Sequence, residues 1–452
     1  MRSINPATEQ VIAEYPPHSQ AQIERRLQEA WGAFHGWRDR PFQERGQSLR
    51  SVAAVLRRRR GELAALMTAE MGKPITAAEA EIDKCALCCD WFAENAQRLL
   101  QAEPAPSDAT RSYVRYDPLG PVLAIMPWNF PFWQIFRFAA PALMAGNVAV
   151  LKHASNVCGC ALAVESVFHE AGMPRGLFTT LLIDGPAAEA LIAHPAIRAV
   201  TLTGSEQAGR AVGAAAGAAL KKCVLELGGS DPFIVLADAD IEATAAAAAA
   251  ARCVNSGQSC IAAKRFIVAE PIARRFEEAL AAAMSRQVVG DPMDRATQIG
   301  PLARADLRAT VHEQVQRTLD AGARLLCGGR LPSGRGYFYP PTVLADVQPG
   351  MPAFDQETFG PVAAVTLARS VDEAVELANR SPFGLGASIW TADAAAAEGL
   401  VPRIEAGCVF INGAVKSDPR LPFGGVKNSG YGRELAAAGI REFVNIKTVW
   451  IA

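Results

Sequence analysis

From Gln20 to Leu100 the apolar residues recur at helical spacing: Ile23, Leu27 and Trp31 in one stretch, Val52, Val55, Leu56 and Leu63 in the next, Ile82, Leu87 and Trp91 in a third. A stripe that repeats every three to four residues belongs to a helix with one buried face, so a lead-in of several antiparallel helices is predicted. Between Arg111 and Asp117 the period drops to two, with Tyr113, Arg115 and Asp117 alternating against Val114 and Tyr116. That is the pattern of a half-exposed strand at an edge or interface. Beyond it come short apolar runs, each followed by turn residues and a helical stretch: Gly120 to Met126 into Pro127, Val148 to Lys152 into a helix ending near Gly172, and Ala199 to Thr203 into Gly204-Ser205. Strand, turn and helix in repetition predict an α/β fold with a parallel sheet and crossover helices, whose ligands bind where the strands end. A second series begins at Cys223, with strands expected at Val224–Leu227, Phe233–Leu236, Arg265–Val268, Val362–Thr366, Ser388–Trp390 and Val409–Ile411. The tail from Glu442 to Ile451 reads as one more strand, left to pair with the Arg111 strand or with another subunit.

A chain of 452 residues exceeds what one core supports and is expected to form two lobes around a cleft. With 45 basic and 46 acidic residues it carries no electrostatic footprint for nucleic acid. No apolar run reaches the length of a membrane-spanning helix, and the opening residues lack the apolar core of a secretory signal. A cytoplasmic protein is expected, and its ten cysteines are read as thiols. Cys85, Cys88 and Cys89 include a Cys-x-x-Cys without a second pair, which fits three cysteines buried on a helix better than a metal site.

No Gly-x-Gly-x-x-Gly follows a strand. In its place Thr203-Gly204-Ser205 ends one, ahead of a helix whose free N–H groups would suit a phosphate, although Ser205 serves equally as a plain N-cap. Three further segments carry reactive groups. Asn255-Ser256-Gly257-Gln258-Ser259-Cys260 sets a thiol in a small, polar loop. Glu226, in Val224-Leu225-Glu226-Leu227-Gly228-Gly229, places a carboxylate at the end of a buried strand, where burial raises its pKa toward that of a general base. Met126-Pro127-Trp128-Asn129-Phe130-Pro131 holds one amide rigidly enough to donate to an oxyanion. Alone, each has an ordinary reading: a packed thiol, a salt-bridged or capping glutamate, a turn asparagine.

Together these segments resemble the aldehyde dehydrogenase superfamily. The likeness continues through Leu151-Lys152-His153-Ala154-Ser155, Gln356-Glu357-Thr358-Phe359-Gly360-Pro361 and Pro422-Phe423-Gly424-Gly425, in order and over essentially the whole chain. It implies Cys260 as nucleophile, Glu226 as general base, and Asn129 with the Cys260 backbone N–H as oxyanion hole. Around the cofactor it implies Trp128, Lys152, His153, Ala154, Ser155, Gly204, Ser205, Leu227, Glu357 and Phe359. Members preferring NAD commonly carry a glutamate three residues after the lysine; here Ser155 stands there, and serine with Lys152 can accept a 2′-phosphate, so NADP is expected ahead of NAD.

Trp133, Arg137 and Ser417 are implied on the substrate side. Arg137 is a cation in an apolar helix and needs an anionic partner, either a substrate carboxylate or another side chain. Several of these segments are similar to one branch, the bacterial NADP-dependent succinate semialdehyde dehydrogenases, which implies oxidation of succinate semialdehyde to succinate through a thiohemiacetal and a thioester. The alternative is a broader NAD(P)-dependent enzyme for other small or carboxylated aldehydes. The resemblance further implies a Rossmann-like cofactor domain from residues 1–108 and 127–226, an α/β catalytic domain over 227–415, and small oligomerisation strands within 109–126 and 433–452, hence a homodimer or homotetramer. No metal is implied. The residue after Cys260 is Ile261, so no adjacent thiol can lock the nucleophile as a disulfide, and Cys253 is a doubtful substitute.

Overall fold

The computed structural model describes all 452 residues. The helical spacing at the start folds as α1 (Gln20–Arg38), α2 (Phe42–Arg58), α3 (Arg60–Met71) and α4 (Ile75–Leu99). α1 opens with a reciprocal cap in which Ser19 Oγ accepts from the Gln22 N–H and the Gln22 side chain accepts from the Ser19 N–H, satisfying two otherwise free donors. Ile23, Leu27, Val52, Leu56, Leu63 and Ile82 all enter one core, and so do Cys85, Cys88 and Cys89. Leu87 departs from the expected stripe and is 56% exposed, because the inward face of α4 passes through Cys85, Ala86, Cys88 and Cys89.

The first sheet has six strands in the spatial order Gly430–Tyr431, Lys222–Glu226, Ala199–Thr203, Pro121–Met126, Val148–His153 and Phe178–Thr180. All its neighbours are parallel except the antiparallel Gly430–Tyr431 strand. Two expectations are corrected here. The strand bearing Glu226 belongs to this sheet and not to the second series. Residues 121–126 lie at its centre, so the small outer element cannot extend to 126; their continuous apolar run is that of a strand covered on both faces, unlike the alternation at 111–117.

α5 (Trp133–Met144) follows the Pro121–Met126 strand and is buried along its whole length. Its first turn is fixed by Glu81 of α4, whose Oε1 accepts from the Phe132 and Trp133 N–H groups at 2.9 Å each while the buried Lys73 ammonium neutralises the carboxylate. A carboxylate at a helix N-terminus answers both the free donors and the dipole.

The second sheet has seven strands in the order Arg324–Cys327, Thr342–Ala345, Val362–Ala368, Arg265–Ala269, Pro232–Val235, Gly386–Trp390 and Cys408–Ile411. Its first two strands escaped the sequence pattern, each being four residues long and flanked by glycine or proline. The tail strand Val444–Ile451 finds its partner within the chain: it runs antiparallel to Arg111–Pro118, Ile451 opposite Arg111 and Val444 opposite Pro118.

Candidate active site

Asn129 and Glu226 come from the carboxyl ends of strands in the first sheet, and Cys260 from the loop that leads into the Arg265–Ala269 strand of the second. A cleft of about 430 Å³ is lined by Trp128, Asn129, Lys152, Ala154, Gly204, Ser205, Leu227, Cys260, Glu357 and Phe359, among others.

Cys260 sits just beyond the helix Ile241–Cys253, after a turn in which Asn255 (φ 53°), Ser256 (φ 57°) and Gly257 (φ 78°) are all left-handed. Such backbone is costly for serine and is held only by surrounding contacts. Gly257 is required by space as well, since a Cβ there would lie 2.3 Å from the Gly360 carbonyl carbon. Lys264, fully withdrawn from solvent, donates to the carbonyls of Ser259 and Cys260 at 2.9 Å and of Ala262 at 3.2 Å. It clamps the Cys260 backbone, and no sequence motif had marked it.

Cys260 Sγ stands 3.9 Å from Glu226 Oε2. Burial pushes the thiol well above its ordinary pKa, and the Glu226 charge adds to this. Burial also raises the Glu226 carboxyl to about 8, against the lowering effect of Arg137. Two groups that both resist ionisation at this separation titrate as a pair, the charge on either one disfavouring the charge on the other. Glu226 Oε1 has no hydrogen-bond partner and is free to take a proton.

Asn129 is 4% exposed and its amide is oriented from both sides. Gln134 Nε2 donates to Oδ1 at 3.1 Å, and Nδ2 donates to the Gln258 carbonyl at 3.0 Å, which leaves its second Nδ2 proton without an acceptor in the protein. The Asn255 amide also donates to the Asn129 carbonyl at 2.6 Å. Asn129 and the Cys260 loop are thus tied into one frame.

The cofactor positions divide. Lys152 is half-buried with no carboxylate partner, and burial lowers its pKa; such a cation favours a bound anion. Ser205 caps the helix Glu206–Ala218, its Oγ accepting from the Ala208 N–H at 3.3 Å, so the helix N-terminus opens beside Gly204 on the same cleft. Glu357 accepts from the Gly229 N–H at 3.0 Å and faces Lys264 at 3.5 Å. A Cβ on Gly228 would lie 2.5 Å from Glu357 Oε2, which explains the glycine. Trp128 and Phe359 meet edge to face at 5.7 Å. An aromatic wall, a free lysine and a helix N-terminus in one cleft fit a dinucleotide phosphate.

His153 is the correction: strand alternation turns it away from Lys152 into the core, where its ring lies 3.1 Å from both the Met126 and the Pro131 carbonyl oxygens. Burial lowers it to about 4, so it is a neutral packing residue. Ser155 does not line the cleft either; it is exposed one residue beyond Ala154.

On the far side of Glu226, Arg137 finds its anions within the protein. Nη2 reaches Glu226 Oε2 at 3.2 Å and Thr203 Oγ1 at 3.1 Å, and Nε lies 2.6 Å from Glu434 Oε2 without hydrogen-bond alignment. Of the two partners weighed from sequence, the side-chain one is present. Glu434 was not foreseen; it lies far along the chain, with nothing local to mark it. Cys253 is buried against Met284, 3.6 Å from its sulfur, and both it and Cys260 are free thiols.

Residues 1–449 match the aldehyde dehydrogenase family. The chain is similar to a probable succinate-semialdehyde dehydrogenase [NADP(+)] of Synechocystis, 54% identical over 100% of this chain and 99% of the relative, and to a succinate semialdehyde dehydrogenase [NAD(P)+] of Escherichia coli, 52% identical over 99% and 97%. Among solved structures, succinic semialdehyde dehydrogenase from Streptococcus pyogenes in complex with NADP+ superposes with a TM-score of 0.97 at 39% identity, over 100% of this chain and 99% of the other. With a thiol and an amide lining one cleft, a carboxyl 3.9 Å from the thiol, and a full-length match around them, the chain belongs to the aldehyde dehydrogenase family.

Proposed function

We propose that this protein oxidises succinate semialdehyde to succinate with NADP, using Cys260 as nucleophile. The observation that carries the reading is the convergence of Cys260, Glu226 and the doubly tethered Asn129 amide at the cleft that Lys152 and Ser205 enter. The Cys260 thiol gives its proton to Glu226, and the thiolate adds to the aldehyde carbon. The Asn129 amide and the Cys260 N–H receive the developing oxyanion. A bound dinucleotide supplies the hydride acceptor for the carbon, which then remains on Cys260 as a thioester. Glu226 first releases the proton it took from Cys260 to solvent; the carboxylate then takes a proton from water, the resulting hydroxide attacks the thioester, the C–S bond breaks, and acid and thiolate are released.

Lys152, Gly204 and Ser205 would hold the dinucleotide's adenosine and phosphate end, with Ser155 leaving room for a 2′-phosphate. Trp128, Ala154, Leu227, Glu357 and Phe359 would line the rest. Arg137 keeps a part in substrate binding, because Nη1 makes no hydrogen bond within the protein; it would share the distal carboxylate with Ser417, next to Trp133. The relatives' names support both substrate and cofactor. A cytoplasmic homo-oligomer is the accompanying expectation, and no helix is long and apolar enough to cross a membrane.

The test is steady-state formation of reduced cofactor with succinate semialdehyde and NADP, with NAD, with a panel of uncharged aldehydes, and with Cys260→Ala. Activity highest with succinate semialdehyde and NADP, and abolished in the variant, is expected. Equal turnover of uncharged aldehydes would replace this reading with the broad-specificity one.

A further inference from the structure

Lys84 projects from α4 toward the loop that carries Ser417. Its Nζ donates to Ser417 Oγ at 2.9 Å and sits 4.1 Å above the Trp133 ring, while Trp133 Nε1 donates to the same Oγ at 3.0 Å. Ser417 thereby accepts two hydrogen bonds, and its own proton finds no acceptor in the protein. Lys84 has no carboxylate within ion-pair distance, although acids surround it in sequence and space. Asp83 is paired with Arg60, Glu81 with Lys73, and Asp418 with Arg420.

The result is a half-buried ammonium and a hydroxyl proton, side by side, neither answered by an anion. Burial and the nearby Arg137 charge hold Lys84 down to about 8, the response of a cation whose field is uncompensated. Arg137 lies one helical turn beyond Trp133 on α5 and leads directly to Glu226. Glu226 in turn meets Cys260 Sγ at 3.9 Å, so α5 links this group to the thiol.

We propose that Lys84, with the Ser417 hydroxyl, is the carboxylate-binding cation that selects a dicarboxylic semialdehyde over a neutral aldehyde, with Arg137 in a supporting place because two protein carboxylates already occupy it. This rests on the substrate reading above and names a residue that reading had not included. A carboxylate there would accept from Lys84 Nζ and Ser417 Oγ and be flanked by the Trp133 indole.

The experiment compares succinate semialdehyde with butanal, the uncharged aldehyde of the same chain length, at saturating NADP in wild type, Lys84→Met and Lys84→Arg. Lys84→Met is expected to lose about tenfold to a hundredfold in kcat/KM for succinate semialdehyde, mostly through KM, the effect of one charge-assisted hydrogen bond, with butanal changed less than about threefold. Lys84→Arg should recover part of the loss. Retained butanal turnover reports that the fold is intact. If wild type prefers succinate semialdehyde and Lys84→Met keeps that preference, or if both substrates fall together in Lys84→Met and Lys84→Arg, the role of Lys84 is overturned while the substrate reading stands. If wild type shows no preference at all, the substrate reading fails and takes the proposal with it.

Discussion

Arg137 Nη2 lies 3.2 Å from Glu226 Oε2, with the arginine side chain 3% and the glutamate 2% exposed. A cation introduced by the sequence as a candidate for the substrate is thus also the partner of the candidate base. Removing one member of a buried pair leaves the other without compensation, so truncating Arg137 perturbs chemistry as well as binding.

The first prediction follows. Glu226 acts as a base only when ionised, so thioester hydrolysis should rise with pH through its value near 8. Arg137 lowers that value, and Arg137→Gln should move the limb to higher pH. At neutral pH the variant should hydrolyse its acyl-enzyme roughly tenfold more slowly for each unit of displacement, for charged and uncharged aldehydes alike. Single-turnover decay of the acyl-enzyme across pH measures this; an unmoved limb would remove Arg137 from the control of Glu226.

A second prediction concerns stability. The folded-state pKa of Glu226 is raised by burial from 4.5 to about 8, so between these values the folded chain holds a proton that the unfolded chain has released. Stability must then fall as pH rises through this window. Glu226→Gln keeps the shape and removes the ionisation. It should equal wild type in thermal midpoint at about pH 4 and exceed it above pH 8, by on the order of a few kcal/mol at most. Calorimetry at both pH values decides; a variant less stable at alkaline pH would mean that the ionised glutamate is well accommodated.

The sequence made the site legible wherever a loop is short and its chemistry local. Cys260, Asn129 and Glu226 each sit in a segment whose small residues and prolines announce an unusual backbone, and the structure brings all three together. The parallel sheets were legible as apolar runs, apart from two four-residue strands too short to show a period. What could not be read was anything made by distant side chains. Lys84 and Ser417 are 333 positions apart, Glu434 reaches Arg137 from near the end of the chain, and Lys264 clamps carbonyls that carry no signal of their own. His153 failed for a different reason: adjacent strand residues face opposite ways, and a motif read as a block ignores that alternation.

Cofactor choice gives a third prediction. Ser155 is exposed beside the cleft, three residues after the unpaired Lys152. A glutamate there would repel a 2′-phosphate and accept from ribose hydroxyls instead. Ser155→Glu should shift the ratio of kcat/KM for NADP over NAD by about tenfold or more toward NAD, a change of about 1.4 kcal/mol, with kcat on saturating NAD little altered. Steady-state constants for both cofactors test it, and an unchanged ratio would place discrimination elsewhere.

The last prediction concerns the outer sheet. Strand Val444–Ile451 is covered on one edge by Arg111–Pro118 and on the other by nothing within the chain. It exposes Ile446 at 60% and Trp450 at 54% of their surface. A long edge strand carrying bare apolar side chains is a template for another chain, and neither a proline nor a bulge blunts it here. A second copy offering the same edge would bury both residues by two-fold symmetry. Trp450→Glu combined with Ile446→Glu puts charge on that edge without touching the cleft, so sedimentation velocity should show a homo-oligomer for wild type and a slower, smaller species for the variant. An unchanged sedimentation coefficient, or a wild type that already runs as a monomer, would assign the apolar edge to some other contact.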